Sequence, residues 1–203
     1  MTIYFTADTH FGHSNILRYT NRPFRSVTEM NAALCENWVA HVRERDHIYH
    51  LGDVLMPHDF QETARLLEVL RKLPGRKFLI PGNHDHKYLS LLGWVFDEIL
   101  PPIHELKVQT LDKKRTYSLV LAHYPLTAWN KSHHGALQLY GHVHGRFLGN
   151  QQQTDVGVDV WNYAPVTLDQ ILARLATLPP YQAVDCAVAD EQDGEDTSDR
   201  SDC

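Results

Sequence analysis

Five short clusters carry most of the residues able to do chemistry: Asp8-Thr9-His10, Gly52-Asp53, Gly82-Asn83-His84-Asp85, Ala122-His123 and Gly141-His142-Val143-His144. Together they offer Asp8, His10, Asp53, Asn83, His123, His142 and His144 as metal donors. These seven side chains exceed what one four- to six-coordinate ion can use, whereas two ions sharing a carboxylate absorb them all. Imidazole, carboxylate and amide oxygen without a thiolate form a borderline N/O donor set. It suits Mn, Fe, Zn, Co or Ni better than Ca or Mg. A lone D-x-H or G-D occurs by chance, and a single buried histidine more often packs than ligates. G-N-H-D and G-H-x-H are more specific, and the ordered set of five points to a multi-metal site.

Each cluster begins where a strand pattern stops, and ligands in open α/β sheets collect at the carboxyl ends of strands. Residues 3–7, 47–51 and 77–80 are β-prone runs. Between them, 28–45 (Met30, Ala33, Leu34, Trp38, Val42) and 59–73 (Phe60, Leu66, Leu67, Leu70, Leu73) repeat at helical spacing, with Ser26 or Thr28 as a cap for the first. Pro74-Gly75 stops the second, and a short helix through Leu92 follows the third run. This β-α-β-α-β order predicts parallel pairing with crossover helices. After Gly93 the residues 98–110, 116–122, 136–140 and 154–160 read as strands joined by turns, a second and more antiparallel sheet. A helix over 167–178 closes the fold before Pro179-Pro180. No internal repeat is present.

The chain has 203 residues, 43% hydrophobic and 22% charged, the composition of an ordinary globular protein. All 14 histidines lie between His10 and His144. The net charge of −6 is unevenly spread: residues 182–203 hold eight Asp/Glu against Arg200 alone, leaving 1–181 at +1. The expected division is therefore one folded domain over 1–181 and an acidic tail over 182–203 too poor in apolar residues to order itself. A balance of +1 argues against strong duplex DNA binding. Cys35, Cys186 and Cys203 show no disulfide framework, and neither a secretory leader nor a membrane span is legible, so a cytoplasmic location is expected.

D-x-H, G-D, G-N-H-D, H and G-H-x-H, in this order over residues 8 to 144, resemble the calcineurin-like metallophosphoesterases. The runs 6–16, 139–145 and Gly157-Val158-Asp159-Val160-Trp161-Asn162 are similar to the small single-domain bacterial and phage type. The resemblance implies an α/β fold, two mixed β-sheets in a sandwich flanked by α-helices. It implies that Asp8, His10, Asp53 and His144 hold one divalent ion and that Asp53, Asn83, His123 and His142 hold a second, with Asp53 bridging. His84, beside Asn83, then matches the histidine that assists the leaving group. The implied activity is hydrolysis of a phosphodiester or phosphomonoester by metal-activated hydroxide, with Mn as the first choice of metal. A small phosphate ester or a nucleotide is the implied substrate.

His13, Arg22 and Arg25 are candidates for binding substrate phosphate, Arg being a common clamp for such oxygens. His50 is expected to pack or to support a ligand, and His58, His86, His133 and His134 to line a rim. Trp129 and Trp161 are expected in the core. Two other functions fit the same residues: a nuclease acting on short strands, or a non-catalytic scaffold. A scaffold is expected to have lost ligands, and none is missing from this set.

Overall fold

A computed structural model describes residues 1–182; the acidic segment expected to lack order lies, save for Gln182, outside the described residues. The elements run β1 (Ile3–Thr6), α1 (Ile16–Tyr19), α2 (Val27–His41), β2 (His47–His50), α3 (Phe60–Lys72), β3 (Arg76–Leu79), α4 (Leu89–Leu92), β4 (Glu98–Ile99), β5 (Ile103–Gln109), β6 (Thr116–Ala122), β7 (Leu137–Tyr140), β8 (Gln153–Asp155), β9 (Val166–Thr167) and α5 (Leu168–Leu175). They form two mixed sheets with flanking helices. One sheet has the order β4-β3-β2-β1-β9 and the other β5-β6-β7-β8.

In the first sheet β1 to β4 are parallel and β9 runs against β1. The second sheet is less antiparallel than the turn-rich sequence predicts. Only β5 and β6 are antiparallel, while β6-β7 and β7-β8 are parallel pairs. The crossover from β6 to β7 passes through a 3-10 turn at Ser132–His134 rather than a long helix, which is why periodicity gave no sign of it. The run 98–110 is broken at Leu100-Pro101-Pro102, so β4 pairs with β3 while β5 begins the other sheet. The run 154–160 also divides, since Val158–Val160 is a 3-10 turn.

Side-chain alternation builds two cores. Phe5, Tyr49, Leu51, Phe78 and Ile80 face Val108, Leu119, Leu121, Leu137 and Leu139 between the sheets. Ile48 and Leu79 face outward, against Met30, Leu34 and Trp38 of α2 and Leu66, Leu67 and Leu70 of α3. Trp129 is buried and Trp161 packs on the inter-sheet core. Side chains satisfy the helix starts: Ser26 Oγ accepts from Glu29 N at 3.1 Å and Asp59 Oδ1 from Glu62 N at 2.8 Å. Thr167 and Gln170 form a reciprocal capping box on α5.

The consequence for function is at one edge. The carboxyl ends of β1, β2 and β3 meet those of β6 and β7, and the sheets are stitched there by Val158 N donating to Ala7 O at 3.0 Å. All five sequence clusters lie on this edge.

Candidate metal centre

Past the strand ends the backbones stay paired: Asp8 N donates to Gly52 O and His10 N to Asp53 O, both at 3.0 Å, and Gly141 N to His123 O at 2.9 Å. The loops are thereby held side by side while their side chains turn inward. Asp8, His10, Asp53, His142 and His144 all have left-handed backbone, with φ of 55°, 50°, 56°, 69° and 49°. Non-glycine residues there cost about 1–3 kcal/mol each, and such strain gathers at functional sites. Two glycines permit the close approach. A Cβ on Gly141 would lie 2.6 Å from Asp8 Oδ2, and Gly52, at φ +89°, would bring one within 2.7 Å of His123 Nδ1.

The result is two adjoining groups of donor atoms, Asp8-His10-His144 and Asp53-His123-His142. Asp53 Oδ2 joins them, lying 3.6 Å from His10 Nε2 and 3.6 Å from His123 Nε2. Asn83 Oδ1 is 3.1 Å from His123 Nε2. His84 stands at the mouth with its backbone N–H on Asp53 Oδ1 at 2.9 Å and its Nε2 3.9 Å from Asp53 Oδ2. All seven donors named from the sequence, and His84, are therefore brought together.

The donor set fits cations on three counts. Both ring nitrogens of His10 are buried without a hydrogen-bond partner, an arrangement that is costly unless a ligand completes it. Asp8 is buried, and its carboxyl is pushed well above the usual range by burial and then by the neighbouring Asp155 and Asp53 charges. His10 is pushed well below its ordinary value by burial and then by His144 and Arg22, so it stands as a neutral imidazole. Outer contacts also orient the rings: His123 Nδ1 meets Leu51 O at 2.7 Å and His144 Nδ1 meets Asp159 Oδ2 at 2.7 Å, which leaves each Nε2 as the free lone pair.

Three residues that sequence reasoning gave no role support this geometry. Asp85 accepts the N–H groups of Asp53, Gly82 and Val54 at 2.7, 2.8 and 2.9 Å. Asp155 accepts those of Gly145 and Gly157 at 2.8 and 2.6 Å. Asp159 receives His144 and Arg22; burial pushes its carboxyl up, but those two hydrogen bonds hold it below the usual range. The run 157–162 and the final Asp of G-N-H-D were the available signals. Their partners lie too far away in sequence to infer.

Arg22, expected to clamp phosphate, is buried away from any substrate. Its side chain is 0% exposed, and every N–H it carries is bound inside the protein. Arg25 is exposed, with its backbone N–H on Glu29, and is not part of the cleft. His13 does reach it, half-buried, with its ring 5.4 Å from that of His10 and 6.4 Å from that of His84. The cleft beside His10 and His144 measures about 560 Å³ and is walled by His13, Tyr19, Met56, His84 and Arg146 among others. His58, His86, His133 and His134 are exposed and do not line it. His50 is buried, its Nε2 2.9 Å from Thr9 Oγ1 between two donor loops.

A family model described as calcineurin-like phosphoesterase superfamily domain matches residues 1–162. The chain is 34% identical over 177 residues to an uncharacterized protein of Methanocaldococcus jannaschii, covering 84% of this chain and 89% of that one. It is 29% identical over 182 residues to the gene 66 protein of Mycobacterium phage D29, covering 79% and 89% respectively. A solved structure, a protein of unknown function from Aquifex aeolicus, superposes with a TM-score of 0.62 at 25% identity, covering 84% of this chain and 97% of that one.

Proposed function

The chain belongs to the calcineurin-like phosphoesterase superfamily, and from that membership we propose a dinuclear metal-dependent phosphoesterase that cleaves phosphodiesters in preference to phosphomonoesters. In this reading Asp8, His10, Asp53 and His144 hold one divalent ion and Asp53, Asn83, His123 and His142 the other. Manganese is the metal proposed. The observation that carries it is the position of Asp53 Oδ2, 3.6 Å from a histidine of each donor group, where one carboxylate serves both. When bound, such ions acidify water and offset the charge that builds on phosphoryl oxygens during in-line displacement.

The chain's own residues supply the remainder. Asp53 accepts the His84 N–H at 2.9 Å, which fixes the His84 backbone beside the donors while its ring stays 35% exposed at the mouth. The His84 ring is thus the group able to give a proton to a departing oxygen on the cleft side, a task worth typically 10²- to 10⁴-fold. His13, with a buried and unpartnered Nδ1, faces the same space and serves to bind a substrate oxygen. The preference for diesters rests on the cleft of about 560 Å³ that runs from His10 and His144 toward Tyr19 and Arg146, which leaves room for a second substituent on phosphorus. A cytoplasmic location is proposed with it, from the cysteine spacing alone.

Chelator-stripped protein restored with Mn²⁺ should hydrolyse bis-para-nitrophenyl phosphate faster than the monoester. Asp53→Asn should lose turnover, and His84→Ala should lose roughly 10²- to 10⁴-fold. Equal turnover in the three proteins would overturn the assignment. Cleavage of short oligonucleotides in preference to the small diester would favour a nuclease instead.

A further inference from the structure

We propose that Arg22 and Asp159 form a buried positioning couple that sets the Asp8-His10-His144 ion site alone, so that breaking it weakens that site and leaves the Asp53-His123-His142 site loaded. The inference rests on the two-ion reading above and adds to it two residues that touch no ion.

Arg22 lies in the loop between α1 and α2, 137 residues from Asp159. Its guanidinium meets the carboxylate as a fork, Nε to Oδ1 at 2.9 Å and Nη2 to Oδ2 at 2.8 Å. Asp159 Oδ2 also lies 2.7 Å from His144 Nδ1, which selects the tautomer whose Nε2 faces Asp8 and His10. Of the other donors of Arg22, Nη2 reaches Asp8 O at 2.7 Å and Nη1 reaches Thr9 O at 3.0 Å in the strand-end loop, and Nη1 also meets Met30 Sδ of α2 at 3.3 Å. One guanidinium therefore anchors the backbone at Asp8 and Thr9, just ahead of His10, and, through Asp159, the ring of His144.

The other donor group is tied to the couple only at one remove, through the Asp8 carboxylate, which accepts the His142 backbone N–H at 2.8 Å. His123 is oriented by the carbonyl of Leu51 at 2.7 Å, and neither Arg22 nor Asp159 bonds to Asp53, His123 or His142. The rings of His144 and His123 are thus oriented differently, the first by a charged pair and the second by a neutral peptide carbonyl. Stability does not explain the pair, whose side chains are 0% and 7% exposed, because a buried ion pair is often no better than apolar residues of equal volume. What the pair provides is direction: a bidentate fork fixes the carboxylate, and the carboxylate fixes the imidazole.

The test is calorimetric titration of Mn²⁺ into the chelator-stripped full chain, with electron paramagnetic resonance of the loaded protein, for wild type, Arg22→Lys, Arg22→Met and Asp159→Asn. Wild type should take two ions and give a spin-coupled spectrum. Arg22→Met and Asp159→Asn should keep one ion at wild-type affinity and bind the other about 10- to 100-fold more weakly, with the uncoupled six-line spectrum of one Mn²⁺ at limiting metal. Lysine, a point donor that cannot fork, should fall between. Two ions at wild-type affinity in Asp159→Asn, or equal weakening of both sites, would overturn the couple. If Arg22→Met does not fold, the shape-conserving Asp159→Asn decides alone. A wild type that fails to take two ions defeats the two-ion reading, and the couple with it, before any variant is compared.

Discussion

The carboxylate of Asp85 accepts the backbone N–H of Asp53 at 2.7 Å, so the last residue of G-N-H-D fixes the backbone of the carboxylate shared by both donor groups. Two more N–H groups, of Gly82 and Val54, point at the same carboxylate. An Asn amide would turn its own N–H toward one side of this nest. Asp85→Asn should lose about 3 kcal/mol of stability, a charge-assisted hydrogen bond being worth roughly 1.5–3 kcal/mol. Urea unfolding of the metal-free protein measures it, and an unchanged midpoint would contradict the role.

Gly141 leaves no room for a methyl group, since a Cβ would lie 2.6 Å from both Asp8 Oδ2 and Ala7 Cβ. Gly141→Ala should therefore fold but displace the Asp8 carboxylate. At a hundredfold excess of Mn²⁺ over Kd, each ion bound adds about 2.7 kcal/mol of stability. Wild type should show a gain of that order for each ion on thermal unfolding, and the variant a smaller total. Equal gains would show that the close approach does not matter.

Acid stability should depend on His50. Burial, then the nearby His123, pushes its imidazole down to about 3, so the folded protein keeps it neutral while the unfolded chain protonates it below about 6.5. Unfolding then takes up a proton, and stability is lost as pH falls. The contribution is complete above pH 6.5 and declines by roughly 1.4 kcal/mol per pH unit toward 3. His50→Gln, which can still donate to Thr9, should show a shallower acid limb in metal-free unfolding. Parallel limbs would contradict this.

Arg146 reaches the cleft wall with Nη2 on Tyr19 O at 2.8 Å, leaving its remaining N–H groups for substrate. Arg146→Ala should raise KM for bis-para-nitrophenyl phosphate by roughly 3- to 10-fold with kcat little changed, the pattern of a lost binding contact. A fall in kcat at constant KM would make Arg146 part of the chemistry instead.

The strand-end clusters were legible because their chemistry is local in sequence: Asp8 with His10, Asn83 with His84, and His142 with His144 are each at most two residues apart. The helices α2 and α3 were legible from their apolar spacing. What could not be read was carried by contacts over long separations. Arg22 reads as a phosphate clamp because nothing near it in sequence shows Asp159, 137 residues away. The parallel entry into β7 escaped for a related reason: its crossover has no long helix to give a period. The left-handed backbone at Asp8, His10, Asp53, His142 and His144 is likewise a product of the assembled edge, since these residue types tolerate that conformation without announcing it.

The shared position of Asp53 is tested most directly by anomalous diffraction from crystals of the Mn²⁺-loaded protein at the manganese edge. Two peaks are expected about 3.5–4 Å apart, one among Asp8, His10 and His144, the other among Asn83, His123 and His142, with the Asp53 carboxylate between them. A single peak at full occupancy, or two peaks that do not share Asp53, would contradict the dinuclear centre.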